Sequence, residues 1–274
     1  MNTIGIIGYG SMADMMVQKW LEAGTLDAKQ LMIHTRSENE RLEKLRNIYQ
    51  EVSVCSITDL VTNCDLIFIC VPPLTVQQVL GQTRRSDKRI HFVSIAAAVT
   101  LENLEKWTDQ PVSRYIPTLT SAVGTGVSLV AHGEGVQREE KESMHLLLSV
   151  FSIVREMSED KFDAASNLTS SSPGFIAAIF EEMSQAAARN SSLSLEEAYE
   201  FLTYALLGTG QVLIERGMTF AETVERVATK GGITGEGAAV IQQQAPAMFD
   251  ELFKQTLRKY EQLKSQINDP HEHH

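Results

Sequence analysis

An α/β first half followed by an all-α second half is the fold class that this 274-residue chain predicts, and three observations predict it. Short, almost wholly apolar runs alternate with helix-like stretches as far as about residue 157. Strands of that kind are buried on both faces, as in a mostly parallel sheet covered by helices. Beyond residue 157 the strand signals stop and the long stretches carry helical periodicity. Hydrophobic residues make up 43% of the chain, which supports a sizeable core and excludes a disordered chain.

The elements follow in order. Thr3–Gly8 reads as a short buried strand and Met12–Glu22 as a helix, with Gly24 just past its end. Leu31–His34 is a second strand, followed by a charged helix over Glu38–Ile48. Asp65–Val71 is a third, nearly all apolar and stopped by Pro72-Pro73. Ile90–Ile95 and Val112–Ile116 continue the sheet, with Val127–Ala131 and Ile153–Glu156 as edge strands. Phe162–Ser170, Gly174–Asn190, Leu195–Arg216 and Phe220–Thr229 then fit helices, and a long helix runs over Glu236–Ser265. Pro246 inside it predicts a kink or an interruption. The domain boundary expected from this pattern falls between 1–157 and 158–274. The histidine-bearing tail from Asp269 reads as loose.

Charge excludes some partners. There are 15 basic and 17 acidic residues up to residue 155, but 9 and 18 after it. The acidic half is a poor partner for nucleic acid or anionic lipid. No apolar run approaches the ~18 residues that span a bilayer. The opening Met1-Asn2-Thr3-Ile4-Gly5 lacks a basic flank, so neither a secretory leader nor a membrane partner is expected. Cys55, Cys64 and Cys70 are odd in number and without metal-ligand spacing. Reduced thiols in the cytoplasm and no metal site are the expectation.

Gly8-Tyr9-Gly10-Ser11-Met12-Ala13 matches G-x-G-x-x-G/A between a strand and a helix, the context of a dinucleotide-binding Rossmann domain. Gly8 allows the tight turn, Gly10 admits a pyrophosphate, and Ala13 keeps the helix close to the sheet. The phosphates then meet free N–H groups, those of Ser11 and Met12 included, at the positive end of the helix. The second strand ends in His34-Thr35-Arg36-Ser37, with no acid before Glu38. A guanidinium flanked by the Thr35 and Ser37 hydroxyls suits a 2′-phosphate, whereas an NAD site usually places an acid there. NADPH is therefore favoured, with NADH as the second choice.

Absences narrow the reaction. Oxidising an alcohol needs a base, commonly His or Lys. No histidine lies between Phe151 and Pro270, and Lys161 and Lys230 are the helical half's only lysines before the terminal helix. An imine nitrogen can arrive protonated, so the protein need only orient the substrate and offer it a hydroxyl partner. C=N reduction is thus favoured. The stretch Thr229-Lys230-Gly231-Gly232-Ile233-Thr234-Gly235-Glu236-Gly237 carries four glycines and a hydroxyl between two helices. It reads as a loop offering N–H groups to a carboxylate rather than as a bare turn. Thr169–Gly174 is a hydroxyl cluster that equally suits helix capping.

These residues resemble the pyrroline-5-carboxylate reductase family over nearly the whole chain. The resemblance rests on Gly8–Ala13, Val93–Ala97, Arg114–Thr118, Asp163–Pro173 and Gly231–Thr234. It implies NAD(P)H-dependent reduction of 1-pyrroline-5-carboxylate, a cyclic imine, to proline. It also implies a helical half that intertwines in a homodimer, with higher rings open to it. The nicotinamide would lie near Ala96, Ala97 and Pro117, with Val71 and Pro72 against the cofactor. Thr229, Gly231, Gly232 and Ile233 would hold the substrate carboxylate, and Thr234 would be the catalytic hydroxyl. The chain departs from the family at Pro72, which replaces a lysine, at Thr118–Thr120, and at Ser170–Gly174. Those variants resemble the divergent ComER-type late-competence members of bacilli. A regulatory paralogue that binds a dinucleotide with little turnover is the alternative.

Overall fold

The computed structural model describes residues 3–37, 39–83, 88–229 and 231–269. The first stretch of chain builds β1 (Ile4–Ile7), α1 (Ser11–Glu22), β2 (Leu31–His34), α2 (Glu40–Ile48), β3 (Ser53–Val54), α3 (Ile57–Asn63) and β4 (Leu66–Ile69). There follow α4 (Val76–Thr83), β5 (His91–Ser94), α5 (Leu101–Trp107), β6 (Val112–Ile116), β7 (Gly126–His132), α6 (Arg138–Leu148) and β8 (Ser152–Glu156). The helical stretch is α7 (Phe162–Ser166), α8 (Ser172–Asn190), α9 (Leu195–Arg216), α10 (Phe220–Val227) and α11 (Ile233–Asn268). No helix among the described residues is long and apolar enough to cross a membrane.

The chain divides into two compact units. One gathers everything up to Ser171 and from Thr256 onward; the other is Ser172–Gln255. The boundary expected at 157/158 precedes this division by contacts. The reason is that α7 and the end of α11 are bonded into the sheet unit. Lys264 pairs with Asp163 at 2.6 Å, and Asn103 Nδ2 donates to Asn268 Oδ1 at 2.7 Å. Asn167 Nδ2 donates to Thr256 Oγ1 at 2.8 Å, and Ile267 is buried among Leu104, Trp107 and Val112.

The sheet unit holds one eight-stranded sheet in the order β3-β2-β1-β4-β5-β6-β7-β8. All neighbours are parallel except β6 and β7. The predicted strands are all present, and β1, β4 and β5 are buried throughout. Three details differ from expectation. Strand β7 is internal, and only β8 forms that edge. Strand β3 escapes the sequence because it is two exposed residues, Ser53 and Val54, with no apolar run. The expected helix over Phe162–Ser170 changes winding at Asn167–Ser171, where a π turn joins α7 to α8. Trp20 anchors the core on one face: its indole N–H donates to the Leu147 carbonyl at 2.9 Å and its ring lies 5.3 Å from that of Phe68.

In the helical unit α8 packs on α9, and the Tyr199 hydroxyl donates to Glu181 at 2.7 Å. One expectation about α11 is corrected. It starts at Ile233, because Gly235 and Glu236 both donate to the Gly232 carbonyl and so enter the helix despite their glycine-rich context. Pro246 does not interrupt it. A proline forfeits one main-chain bond, and good helix formers on either side, Ala245 and Ala247, favour continuing the helix.

Candidate functional site

At the carboxyl end of β1 the chain must turn sharply past its neighbour β4. Gly8 does so with φ +89°, and a Cβ there would stand 2.6 Å from the Cys70 carbonyl oxygen. Its amide donates to the His34 carbonyl at 2.8 Å, which ties the turn to β2. Only glycine meets both constraints. Gly10 differs: its φ is −94°, and a Cβ there would meet nothing within 4 Å. The second glycine of the motif is therefore not required by the fold; it leaves open space.

That space lies at the start of α1. Asn39 caps α2, Ser56 caps α3 and Thr100 caps α5 with side-chain oxygens, whereas α1 begins at Gly10 with no side-chain cap. The first N–H groups of a helix have no partner within it, and they carry its positive end. Those of Ser11, Met12 and Ala13 stand here. Asp14, one residue on, accepts from the Tyr9 hydroxyl at 2.9 Å. Burial, then Asp14, pushes the Tyr9 phenol far up, so it remains a donor.

A cleft of about 320 Å³ opens from this point and brings together Gly8, Gly10, Thr35, Arg36, Ser37, Val71 and Pro72. No carboxylate lines it among the described residues, and Arg36 is its one arginine or lysine. Arg36 is exposed and its neighbour Thr35 donates to the Ser37 carbonyl at 3.1 Å, which closes the loop around it. Glu38, the nearest acid in sequence, lies outside the described residues. His34 also lines the cleft. Its Nδ1 stands 2.9 Å from the Cys55 carbonyl, which can only accept, so Nδ1 carries the proton. Cys70 lines the cleft as a thiol, because burial pushes its ionisation well up. All three cysteines are free thiols.

The far wall of the cleft was not foreseen. Ile57 on α3, Thr75, and Gln78, Val79 and Gln82 on α4 complete it. The parallel order β2-β1-β4 carries the segment after β4 past the ligand edge of the sheet. Gln78 and Gln82, four residues apart, then share a helix face. That spacing was the one available signal.

Ala96, Ala97 and Pro117 do not line the cleft. They follow β5 and β6 at the same carboxyl edge of the sheet, with Ala96 and Pro117 buried. Ala98 in that turn holds φ +64°, the one positive φ outside glycine among the described residues. Thr118, fully buried, donates its hydroxyl to the Thr169 carbonyl in the π turn at 2.9 Å, and Thr120 is 3.2 Å from it. One of the unusual segments, Thr118–Thr120, is thus bonded to the residue that precedes Ser170. Such π turns recur at functional sites.

The other predicted group sits in the helical unit and is brought together in one turn. Gly232 N–H donates to the Thr229 carbonyl at 2.9 Å. Gly231, the third residue of that turn, has φ +71°. Lys230 lies outside the described residues. Ile233 and Thr234 then open α11, with their N–H groups at its positive end. Thr229 and Thr234 are exposed, and Ile233 is 94% exposed.

Residues 159–263 match the family description "Pyrroline-5-carboxylate reductase dimerisation", and residues 3–98 match "NADP oxidoreductase coenzyme F420-dependent". The chain is 52% identical to "Pyrroline-5-carboxylate reductase 3" of Bacillus subtilis, over 97% of this chain and 98% of that one. It is 30% identical to "ComE operon protein 4" of the same organism, over 94% and 95%. Of these two the reductase is the more similar. A pyrroline-5-carboxylate reductase structure from Coxiella burnetii superposes with a TM-score of 0.86 at 22% identity, covering 96% and 98% of the two chains, and so shares the fold.

Proposed function

This chain belongs to the pyrroline-5-carboxylate reductase family, and from that premise we propose that it reduces 1-pyrroline-5-carboxylate to proline with NADPH. The observation that carries the reading is the cleft itself: a glycine-made space at an uncapped helix start, lined by an arginine and, among the described residues, by no acid. When bound, the cofactor supplies the hydride. The chain's own residues do the rest. The N–H groups of Ser11, Met12 and Ala13 hold the pyrophosphate, and Arg36 with Thr35 and Ser37 holds the 2′-phosphate. Val71 and Pro72 wall the cofactor, with Ala96, Ala97 and Pro117 at the nicotinamide. Thr229, Gly231, Gly232 and Ile233 bind the substrate carboxylate, and Thr234 hydrogen-bonds the ring nitrogen. Because that nitrogen arrives protonated, no titrating base is required. The ComE operon relative keeps a second reading in view, in which the dinucleotide is bound but hardly turned over.

The Arg36→Asp variant will narrow or reverse the cofactor preference. A charge-assisted hydrogen bond contributes ~1.5–3 kcal/mol, so NADPH affinity should fall roughly 10- to 100-fold while NADH affinity holds or rises. Titration of both cofactors by protein fluorescence reads this directly, and equal affinities in the parent protein would remove its basis. Thr234→Ala should lower turnover only roughly 3- to 10-fold, the worth of one uncharged hydrogen bond, and leave NADPH affinity unchanged. A Thr234→Ala enzyme with full kcat and KM would take Thr234 out of the reaction.

Assembly follows from the helical unit's surface. Only Ser184 and Ala198 are buried on α8 and α9, while Phe201, Tyr204, Leu207 and Ile214 are more than half exposed. Apolar surface on that scale belongs against a partner. A homodimer through this unit is expected, with larger rings compatible. A stable monomer in light scattering at micromolar concentration would refute it. The reduced thiols agree with a cytoplasmic protein.

A further inference from the structure

We propose that a second cavity, bounded by β7, β8 and α6, is a small-molecule site for a zwitterionic amino acid with a short apolar side chain. This cavity lies toward the opposite edge of the sheet from the cofactor cleft and shares no residue with it. Its volume is about 400 Å³, within the range of small-molecule sites. Val130, Met144, Leu146 and Val154 give it an apolar wall, the β8 edge contributes Glu156, and α6 adds His145 and Glu142, the latter already paired with Arg138 at 2.7 Å. Lys141 on α6 pairs with Glu156 across the lining at 3.3 Å. One cation and one anion so close, beside an apolar wall, complement an ammonium and a carboxylate on one carbon. A ligand carrying a single charge would engage only one of the two.

His132 adds a third, adjustable contact. Its Nδ1 is 2.7 Å from the Ser113 hydroxyl, which is 2.7 Å from Nε2 of the buried His91. Burial holds both imidazoles neutral, each lowered to about 4. One hydroxyl proton serves only one of the two nitrogens, so the other ring donates to the hydroxyl. The chain of bonds therefore has two senses with the same net charge. When His91 donates to the Ser113 hydroxyl and that hydroxyl donates to His132 Nδ1, His132 carries its proton on Nε2, which is a donor. A bound carboxylate selects that sense, and a neutral imidazole is kept available for it without the cost of burying a charge.

The test is calorimetric titration of L-proline and L-valine into the full-length protein, with propionate and propylamine as single-charge controls. It is repeated on Lys141→Glu, a partly exposed position whose change should leave the fold intact, and on Lys141→Met. Saturable binding of one or both amino acids is expected, with both controls weaker. Each variant should weaken it about tenfold, the worth of one charge-assisted hydrogen bond, with NADPH affinity unchanged. Since L-proline is also the product of the proposed reaction, binding indifferent to both Lys141 variants would belong to the catalytic site and would overturn the proposal. So would the absence of saturable binding of either amino acid. Neither result bears on turnover, which is measured separately.

Discussion

The Gly10→Val variant will fold and lose its cofactor. The space beside the Gly10 α-carbon is empty out to 4 Å, so a branched side chain meets no protein atom there. The conformation, at φ −94°, is open to any residue. Valine is a poorer residue than glycine at a helix start, so a cost of up to ~1 kcal/mol is the most expected in stability. The same side chain occupies the position of a pyrophosphate over the first turn of α1. NADPH affinity should fall by two orders of magnitude or more, a loss of ~3 kcal/mol or greater. Gly8→Ala behaves in the opposite manner. There even a methyl group meets the Cys70 carbonyl at 2.6 Å, in a backbone conformation that costs a non-glycine residue ~1–2 kcal/mol before any clash. It should lower the melting temperature clearly. Circular dichroism melts and cofactor titrations on the two variants separate these roles; an intact NADPH affinity in Gly10→Val would contradict the site.

The second large effect is expected at Arg114. This arginine is 2% exposed on β6, three residues before Pro117. It pairs with Glu159 at 2.7 Å, lies 3.9 Å from Asp163, and sits 4.4 Å over the ring of Phe162. Glu159 in turn accepts the Leu101 N–H at the start of α5. One side chain thereby holds β6, α5 and α7 together behind the end of β6. Arg114→Ala leaves Glu159 without its cation, Asp163 with Lys264 alone, and a gap beside Phe162. Breaking a buried pair in this way costs ~3–5 kcal/mol, roughly 6–15 °C in melting temperature for a chain of this size. Arg114→Lys should recover only part, because an ammonium cannot reproduce the planar fork. A melt of Arg114→Ala within a degree or two of the parent protein would show that the pair is not structural.

Much of this was legible in the sequence for identifiable reasons. Strands β1, β4 and β5 are buried on both faces, so they read as unbroken apolar runs. The glycine motif announces itself because Gly8 has no substitute. What was hidden depended on tertiary order. Gln78 and Gln82 face the cleft only because β4 lies beside β1; their spacing within α4 puts them on one face and does not say what that face meets. The start of α11 was misplaced because Gly235 and Gly237 disfavour a helix locally, yet the Gly232 carbonyl draws the first turn in. The bond from Thr118 to Thr169 spans 51 residues and has no local signature at all.

Turnover of a cyclic imine with the cofactor of the cleft is the activity on which everything else depends. The direct measurement is NADPH oxidation in the presence of 1-pyrroline-5-carboxylate, with proline quantified in the same reaction, for the parent protein beside Gly10→Val. Saturable oxidation is expected in the parent, with one proline formed per NADPH consumed, and none above background in Gly10→Val. A parent protein that binds NADPH yet oxidises it no faster than Gly10→Val would contradict that expectation and leave the regulatory reading in its place.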